Sequence, residues 1–418
     1  MSVYNFIAHF LKENGYDETL RTFEKEHGSQ ISTDLPHDEA LTDIITDRMK
    51  YLSTQSQPDA RQDYWLQEDL VKIKEAQFKE WSAPYPKKNR RLGLLDDLVV
   101  SSDVFKSNDT AYVVCGTSGK ALVVFDLQTG TIVLEIKDVI GKVVIRRIVV
   151  SSQYVLLCGM NGKVYVGSFS DDMKSFDLLF EEQIHSRLIT DVRVVLWNNH
   201  DHLVSMGWDF LVKVWKIKSD SLQQVGKPFK LANQGTCLDA CNYNDVLYVT
   251  VGKNEITLMD VLRMDETHEL QLDCRIALND AEFSASGFTP MCVRIFNQGG
   301  IPLVAVGTSH EPYMRVVIVS LKDVGSEHAD IKRSQIIANL NTMSPQDKYS
   351  QANIAWRFDG SGLWIMGEDG IIRGLDISKQ CVALELKEHD GRIKTSTVFE
   401  DIVITCGTDK QILKWIHE

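Results

Sequence analysis

Short apolar runs separated by tight polar turns repeat along this sequence from about Leu98 onward. Apolar runs of this length, with Gly, Asn and Asp in the turns between them, are typical of strands joined as β-hairpins. The paired runs are AYVVCG and ALVVFD, YVLLCG and KVYVGSF, HLVSMG and LVKVW, VLYVTVG and ITLMD, PLVAVG and MRVVIV, LWIMG and IIRGLD, and DIVITCG and QILKW. A hairpin unit that recurs in this way predicts a repeat fold.

The spacing of equivalent positions indicates the type of repeat. These positions lie roughly 40 to 60 residues apart, near the propeller-blade period of about 40–45 residues plus insertions; they are Phe125, Phe169, Trp215, Met259, Val319, Leu375 and Trp415. We predict an all-β, seven-bladed propeller of four-stranded blades over residues 95–418, with the longest insertion around Gly325 to Lys348.

Two of the units carry the same pattern of four polar and aromatic residues. The first copy is His185, Ser205, Asp209 and Trp215, and the second is His389, Thr405, Asp409 and Trp415. We expect each Asp to accept hydrogen bonds from the His ring and from the hydroxyl, and the hydroxyl to bind the indole N–H. Such a buried chain of hydrogen bonds stabilises neighbouring strands. It lacks an oxyanion hole and a nucleophile turn, so we do not interpret it as a catalytic triad.

These units resemble WD repeats over about residues 95–418, with the full pattern in two blades. In the other blades the turn Asp is replaced, by Gly119, Gly162, Asn254 or Gly370, and no Trp ends the third strand. The resemblance implies a rigid platform for protein–protein interaction without enzymatic activity. It also implies that a strand from before the first blade completes the last one, and we expect Leu92 to Leu95 to supply that strand. The Trp-Asp-x-Arg ending of some ubiquitin-ligase substrate receptors is absent, since the two copies read Trp215-Lys216 and Trp415-Ile416.

Residues 1–35 show helical periodicity. Phe6, Ile7, Phe10 and Leu11 form an apolar stripe, which Gly15 is suited to end. A second helix is expected with Asp17 as its cap, Leu20 and Phe23 on its apolar face, and Gly28 at its end. Two helices of this size cannot bury their own apolar faces, so we expect a partner, most simply a second copy.

This segment resembles the Lis-homology (LisH) dimerisation motif. The run that matches is Ile7, Phe10, Leu11, Gly15, Tyr16, Thr19, Phe23 and Glu26. The resemblance implies dimerisation, or docking to another helical subunit, through Ile7, Phe10, Leu11, Tyr16, Leu20 and Phe23. The alternative is an amphipathic hairpin that packs on its own chain.

Residues 36–94 are predicted to join the two modules. Leu41, Ile44, Ile45, Met49 and Leu52 predict one further helix, and Leu66, Leu70, Ile73, Phe78 and Trp81 predict another, so 36–81 is expected to be a helical extension. Residues 82–94 form a basic, Pro-containing linker with a possible closing strand. Its cations Lys87, Lys88, Arg90 and Arg91 are either an import signal or a solvated linker. We therefore expect a cytoplasmic or nuclear protein, or one found in both compartments.

Composition restricts the classes of function. The formal net charge of −13 makes nucleic acid an unexpected partner, and no apolar run is long enough for a membrane span. The first residues lack a basic n-region and charges interrupt their apolar positions, so we expect no signal peptide there. Cys115, Cys158 and Cys406 are expected in the core, as are Cys237 and Cys241, whose lone C-x-x-x-C spacing lacks further zinc ligands. We expect no metal, no cofactor and no enzymatic activity, since phosphate-binding and nucleophile motifs are absent. A propeller enzyme would need titratable groups with shifted pKa values at the channel mouth.

The turns between second and third strands are the expected binding surface. Trp208, beside a turn Asp, is a candidate hot spot for a partner; the other candidates are Arg187, His310, Tyr313, Glu368, Asp369 and Lys410. The alternatives are solvated turns for the charged residues and packing on a neighbouring loop for Trp208. Arg146 and Arg147 interrupt an apolar run. We expect one of them to face the channel or a partner and the other to face solvent, and the alternative is a structural salt bridge.

A LisH-like segment followed by a propeller resembles several scaffold families. These are dynein-regulating nuclear-migration proteins, transducin-like corepressor subunits, splicing factors and subunits of ubiquitin ligases. The long coiled coil of the dynein regulators is not evident here. We expect a non-enzymatic scaffold or adaptor subunit, of the ligase or corepressor type, which binds a protein client on the propeller. The alternative is an assembly chaperone whose acidic propeller holds one basic client.

Overall fold

The computed structural model describes residues 3–34, several positions between 41 and 81, residues 88–107, and residues 109–416 with gaps at 265–267, 280–286, 299, 323, 326–330 and 334. The chain forms two compact units, Met1–Trp65 and Leu66–Glu418. The predicted helix over Leu41 to Leu52 lies mostly outside the described residues.

The first unit contains α1 (Val3–Glu13) and α2 (Asp17–His27). The second contains β1 (Lys88–Leu94), β2 (Val99–Ser107), β3 (Thr110–Thr117), β4 (Leu122–Asp126), β5 (Ile132–Ile136), β6 (Ile145–Val150), β7 (Val155–Gly159), β8 (Lys163–Phe169), β9 (Phe176–Gln183), β10 (Ile189–Trp197), β11 (His200–Gly207), β12 (Leu211–Ile217), β13 (Leu222–Lys230), β14 (Gly235–Tyr243), β15 (Val246–Lys253), β16 (Ile256–Met264), β17 (Gln271–Ala277), β18 (Pro290–Phe296), β19 (Leu303–Thr308), β20 (Tyr313–Ser320), β21 (Ile331–Lys332), β22 (Ile336–Pro345), β23 (Ile354–Trp356), β24 (Gly362–Met366), β25 (Ile371–Asp376), β26 (Cys381–Lys387), β27 (Ile393–Phe399), β28 (Ile402–Gly407) and β29 (Gln411–Ile416).

Glycines end both helices, as the sequence predicts. Gly15 has a φ of +73°, and the Tyr16 N–H donates to the Leu11 carbonyl at 2.8 Å, which closes a Schellman turn. Gly28 is the left-handed cap of α2. The prediction of Asp17 as an N-cap is wrong, because Tyr16 holds that position and Asp17 is the first helical residue. Its carboxylate still favours the helix start through the dipole.

Packing within the helical unit leaves most of its apolar stripe half-exposed. Ala8 is the buried residue of α1, and α2 buries none. The segment after α2 binds α1 through polar contacts: Asn5 Nδ2 donates to the Ser32 carbonyl at 3.0 Å, and His9 Nδ1 lies 2.7 Å from the Thr33 carbonyl. The half-buried apolar residues of the unit are Phe6, Ile7, Phe10, Leu11, Leu20 and Phe23.

The strands of the second unit form a seven-bladed propeller, which confirms the predicted fold class. Blades one to four are β2–β5, β6–β9, β10–β13 and β14–β17, and blade six is β23–β26. Blade five is β18, β19, β20 and β22, and blade seven is β27, β28, β29 and β1. Strands within each blade pair in antiparallel order, except for β21, which adds to blade four in parallel. Apolar side chains from neighbouring blades pack together in shared core clusters.

Strand β1 closes the ring. Its Lys88 pairs with Ile416 and its Leu94 with Gln411, with a register shift between Arg91 and Gly93. The closing strand therefore begins four residues before the expected Leu92, and the backbone of the basic segment lies within the sheet.

The insertion in blade five is shorter than the sequence suggests. The stretch expected to be a polar insertion, Gly325 to Lys348, contains the outer strand β22 (Ile336–Pro345), which pairs with β20. Between these two strands the chain adds β21 beside β17 of blade four. The polar character of the segment hides β22 because only one side of an outer strand is covered.

Trp81 lies in a slot on blade six. Its ring is 2% exposed, and its centroid lies 4.9 Å from that of Trp364 in an edge-on arrangement. Its backbone N–H donates to the Asp376 carboxylate at 3.3 Å. The slot exists because Gly362 of β24 and Gly374 of β25 lack side chains, and a Cβ at either position would overlap the indole ring.

The segment before β1 is therefore part of the propeller unit. Leu70, Ile73 and Phe78 are buried in the core cluster of blades five and six. The domain boundary expected at residue 95 is too late, since the compact unit begins at Leu66.

We expect Trp81→Ala to lower the free energy of unfolding by about 3–5 kcal/mol, since it removes a buried aromatic side chain and leaves a cavity. Trp208→Ala provides the matched control, because Trp208 is 50% exposed, and its effect should stay within about 0.5 kcal/mol. Urea denaturation measures both. Equal losses from the two substitutions would contradict the assignment of Trp81 to the core.

Candidate interaction face and central channel

One face of the ring carries the turns between the second and third strands of every blade. In an antiparallel meander the links alternate between the two ends of the strands, so the connections from one blade to the next emerge on that same face. We call it the turn face. The inner strands β2, β6, β10, β14, β18, β23 and β27 line the central channel, and each begins at the turn face.

Four of the candidate partner-binding residues are exposed on the turn face. Trp208 follows β11 and is 50% exposed, and Tyr313 begins β20 and is 37% exposed. Arg187 precedes β10, and Lys410 lies in the turn before β29, where its ammonium donates to the Asp96 carbonyl. Whether these residues bind a partner remains a prediction.

The other three candidates are committed to contacts within the propeller. The His310 ring lies 4.6 Å from the Phe288 ring, centroid to centroid. Glu368 pairs with Arg392 at 3.2 Å. Asp369 accepts two hydrogen bonds from the Arg373 guanidinium, at 2.7 and 3.0 Å. These side chains therefore shape the turns and offer less to a partner than their sequence positions suggest.

Sequence reasoning missed two exposed apolar residues on the turn face. Met160 is 52% exposed and occupies in blade two the turn position that Trp208 occupies in blade three, since both N–H groups donate to the residue before the inner strand. Tyr349 is 71% exposed in the link from blade five to blade six. Aligning the turn sequences Gly159-Met160-Asn161 and Gly207-Trp208-Asp209 would have found Met160, whereas Tyr349 directly follows the segment interpreted as a polar insertion.

The two four-residue patterns form linear chains of hydrogen bonds. In blade three, His185 Nδ1 lies 2.8 Å from Asp209 and His185 Nε2 lies 2.9 Å from the Ser205 hydroxyl. The Trp215 indole N–H donates to that hydroxyl at 3.2 Å. Blade seven repeats the arrangement with His389, Thr405, Asp409 and Trp415. The hydroxyl binds the second ring nitrogen of the His, whereas the sequence pattern predicted that it would bind the Asp.

This geometry fixes the protonation of His185. The indole can only donate, so the single hydroxyl proton of Ser205 is left for Nε2. Nε2 must then accept, and Nδ1 carries the proton that it donates to Asp209. The neutral ring satisfies every group, and burial lowers the pKa of His185 in agreement with that form. The chain is a structural element, since each of its polar atoms is already bonded.

Two turns assigned as degenerate keep a polar residue at the Asp position. In blade six that residue is Asp369, whose Oδ1 accepts from the Ile371 N–H at 3.2 Å, as Asp209 accepts from Leu211. In blade two it is Asn161, which accepts from the Lys163 N–H at 3.2 Å. The assignments of Gly370 and Gly162 to this position are wrong by one residue.

Carboxylates in the channel connect neighbouring blades. The inner edge of each blade has no sheet partner, so its N–H groups need other acceptors. Asp103 accepts from the Val150 N–H of blade two at 3.0 Å, and Asp239 accepts from the Ile295 N–H of blade five at 2.8 Å. Asp191 accepts from the Leu238 N–H of blade four at 3.3 Å. Side chains thus replace the missing backbone ladder between blades.

Arg193 lies between two of these carboxylates. Its guanidinium is 3.4 Å from Asp191 and 3.2 Å from Asp239. Burial opposes its charge, but the two carboxylates outweigh burial and raise the pKa of Arg193. Burial also raises the pKa of Asp103 to about 6. This cluster of groups with shifted pKa values could not be recognised in the sequence. Its hydrogen bonds and ion pairs connect neighbouring blades, and this structural role accounts for the shifts.

The described part of the chain adds two negative findings. It has no cluster of three or more His, Cys, Asp or Glu residues placed to hold a metal ion, and no helix in it is long and apolar enough to cross a membrane. Cys237 and Cys241 are buried, and burial raises the pKa of Cys241 to about 12.

The ring and its two N-terminal helices define a β-propeller protein with a LisH module, a fold typical of non-enzymatic interaction proteins. The chain belongs to the UCP007778 family: the family's β-propeller domain matches residues 65–416, and its LisH domain matches residues 1–33. It is also similar to the uncharacterized protein YGR117C of Saccharomyces cerevisiae, with 24% identity over 415 residues, covering 87% of this chain and 85% of the yeast protein. The resemblance to WD repeats stays a prediction that depends on the two hydrogen-bonded patterns.

We expect the free energy of unfolding to fall as the pH drops from about 6.5, the ordinary pKa of His. Burial, with Arg315 nearby, lowers the pKa of His310 to about 4. The unfolded state therefore takes up this proton first, and stability is lost as the pH falls through this window. His310→Asn should make the slope of unfolding free energy against pH shallower there. The exposed His200 provides the matched control, and an equal change from His200→Asn would contradict the assignment.

Proposed function

We propose that the protein is a non-enzymatic scaffold or adaptor subunit of a multi-protein complex. The LisH module joins it to a second copy or to another helical subunit, and the turn face of the propeller binds a protein client. The observation that carries the proposal is the pairing of a half-exposed helical stripe with a rigid ring that displays separate apolar residues on one face.

The helical unit supports the first half of the proposal. Six apolar residues of its two helices stay half-exposed after the unit has packed. A helix pair that buries little more than Ala8 has too small a core to be stable on that packing alone. Dimerisation through this stripe removes apolar surface from water. It also places two propellers in one assembly, which raises the avidity for a partner that both propellers can bind.

The turn face supports the second half. Met160 and Trp208 occupy equivalent turns of adjacent blades and are 52% and 50% exposed. Tyr313 and Tyr349 add aromatic surface on blades five and six. Aromatic residues and Met are enriched in the buried parts of protein interfaces. The ring holds these residues at fixed positions, so little conformational entropy is lost when a client binds.

The ubiquitin-ligase and corepressor types of assembly remain equal candidates, in the cytoplasm or the nucleus. The alternative is an assembly chaperone for one basic client. The chain's net charge of −13 favours a basic client in general, but basic side chains that line the channel, among them Arg147, Arg294 and Lys394, disfavour a basic client that enters it. A scaffold is recovered in a complex of constant stoichiometry, whereas a chaperone is recovered with free client.

We expect Phe10→Asp to abolish self-association of the full chain, because it places a charge within the apolar stripe. Arg21→Asp introduces the same residue at an exposed position of α2 and should leave association intact. Light scattering after gel filtration gives the mass of each species. A monomeric unsubstituted chain would shift the role of the module to docking on another subunit, and a dimeric Phe10→Asp chain would contradict the assigned surface.

We expect the double variant Met160→Ala/Trp208→Ala to lose its client, with affinity reduced about 30-fold or more if Trp208 is a hot spot. Leu196→Ala is the matched control, since Leu196 is 61% exposed but lies near the end of β10 that is remote from the turn face. Affinity purification of tagged full-length chains, followed by mass spectrometry, compares them. Recovery of the same proteins by all variants would refute the proposed client surface.

A further inference from the structure

Basic side chains outnumber acidic ones in the central channel of this acidic protein. The channel contains a cavity of about 420 Å³, lined by five basic residues (Arg147, Arg193, Arg294, Arg392 and Lys394) and three acidic residues (Asp103, Asp191 and Glu368). The whole chain carries a net charge of −13. A local excess of cations against that background is a specific feature of the channel, and the volume is within the range of small-ligand sites.

Four basic side chains gather at the turn-face end of this channel. Arg146 and Arg147 follow the first residue of β6 in blade two, and Arg392 and Lys394 flank the first residue of β27 in blade seven. Arg146 and Lys394 occupy equivalent positions in their blades. Each is the second residue of an inner strand and lies where the pairing with the next strand shifts register. Such bulges can redirect a side chain. Arg147, Arg392 and Lys394 line the cavity, and Arg146 lies near enough to Lys394 to lower its pKa. We call these four residues the mouth cluster.

The mouth cluster is poorly neutralised by the protein. Arg392 pairs with Glu368 at 3.2 Å, but Lys394 Nζ has a neutral partner, the Gln351 amide oxygen at 3.3 Å. Among the described residues, the Arg146 guanidinium forms no hydrogen bond or salt bridge, and the charge of Asp191 offsets only part of the lowering of its pKa. The Nε atom of Arg147 is buried without a hydrogen bond to that part of the chain, and Asp191 lies 3.7 Å from it.

Like charges in the cluster oppose one another. Burial lowers the pKa of Lys394, and Arg146, Arg392 and Arg147 lower it further. The pKa of Arg146 is lowered by burial and by Arg147. Burial and nearby like charges both disfavour the charged forms of these side chains. An anion bound between them would therefore reduce the electrostatic repulsion within the cluster.

We propose that the mouth cluster binds a compact polyphosphate, a small molecule with two or more linked phosphate groups. Guanidinium groups bind phosphate oxygens in bidentate geometry, and an ammonium adds a point charge. Several cations around one cavity match a multivalent anion better than a single carboxylate. The recessed position and small volume of the cavity favour a free small molecule. This site is independent of the client surface and of dimerisation.

The test uses the intact full-length chain and inorganic tripolyphosphate, titrated by calorimetry at constant ionic strength. We expect saturable binding of one molecule per chain and a rise in Tm. Arg146→Gln/Lys394→Gln should weaken binding about tenfold for each cation removed. Lys174→Gln/Lys227→Gln removes the same charge from lysines that are 80% and 87% exposed and should leave the affinity unchanged.

The Tm without ligand separates binding from folding. Since the cluster is self-repelling, Arg146→Gln/Lys394→Gln should melt at the same temperature as the unsubstituted chain or higher. A lower Tm would mean that the cations stabilise the fold, and would overturn the proposal. Absence of saturable binding, or equal weakening in the Lys174→Gln/Lys227→Gln chain, would overturn it as well. So would binding only in the presence of a protein client, which would assign the cluster to the client interface.

Discussion

The pairing of β1 with β29 is the constraint on which the rest of the propeller depends. A ring of blades has two ends until one strand joins them, and here a strand from before the first blade completes the last one. The closure fixes the blades at constant spacing, so each inner edge meets its neighbour at a distance that a side chain can span. Asp103 and Asp239 then bond across those edges, and Trp81 lies in its slot on blade six, a few residues before the closing strand.

The architecture was predictable from the sequence because strand patterning and turn chemistry repeat seven times. The helical module was predictable because Phe10, Gly15 and Phe23 follow helical spacing and end signals. Long-range packing was not predictable. In the sequence Trp81 reads as the last apolar residue of an amphipathic helix, and only the structure shows that its ring packs against Gly362 and Gly374. The outer strand β22 was missed for a related reason, because an edge strand with one open side carries a weak apolar pattern.

Candidate sites were predictable only in part. Trp208 stood out because a large aromatic residue in a turn is unusual, and the structure exposes it. His310 and Asp369 were equally plausible candidates from the sequence. In the structure, however, the His310 ring packs against Phe288 and the Asp369 carboxylate binds Arg373. The charged cluster in the channel could not be predicted from the sequence. Asp103, Arg193 and Asp239 come from three different blades and lie close together only in the closed ring. Under our two proposals, the charges at the channel mouth bind a small anion and the apolar residues on the rim bind a protein client, so one face would carry two kinds of site.

The measurement that tests this account most directly is cross-linking mass spectrometry of the native complex captured with the full-length chain. Our account predicts that cross-links from client subunits fall on the turn face, near Trp208, Tyr313 and Lys410. It also predicts that cross-links from residues 1–33 reach a second copy or another helical subunit. Client cross-links concentrated on the opposite face, near Leu196 and Phe358, would contradict it.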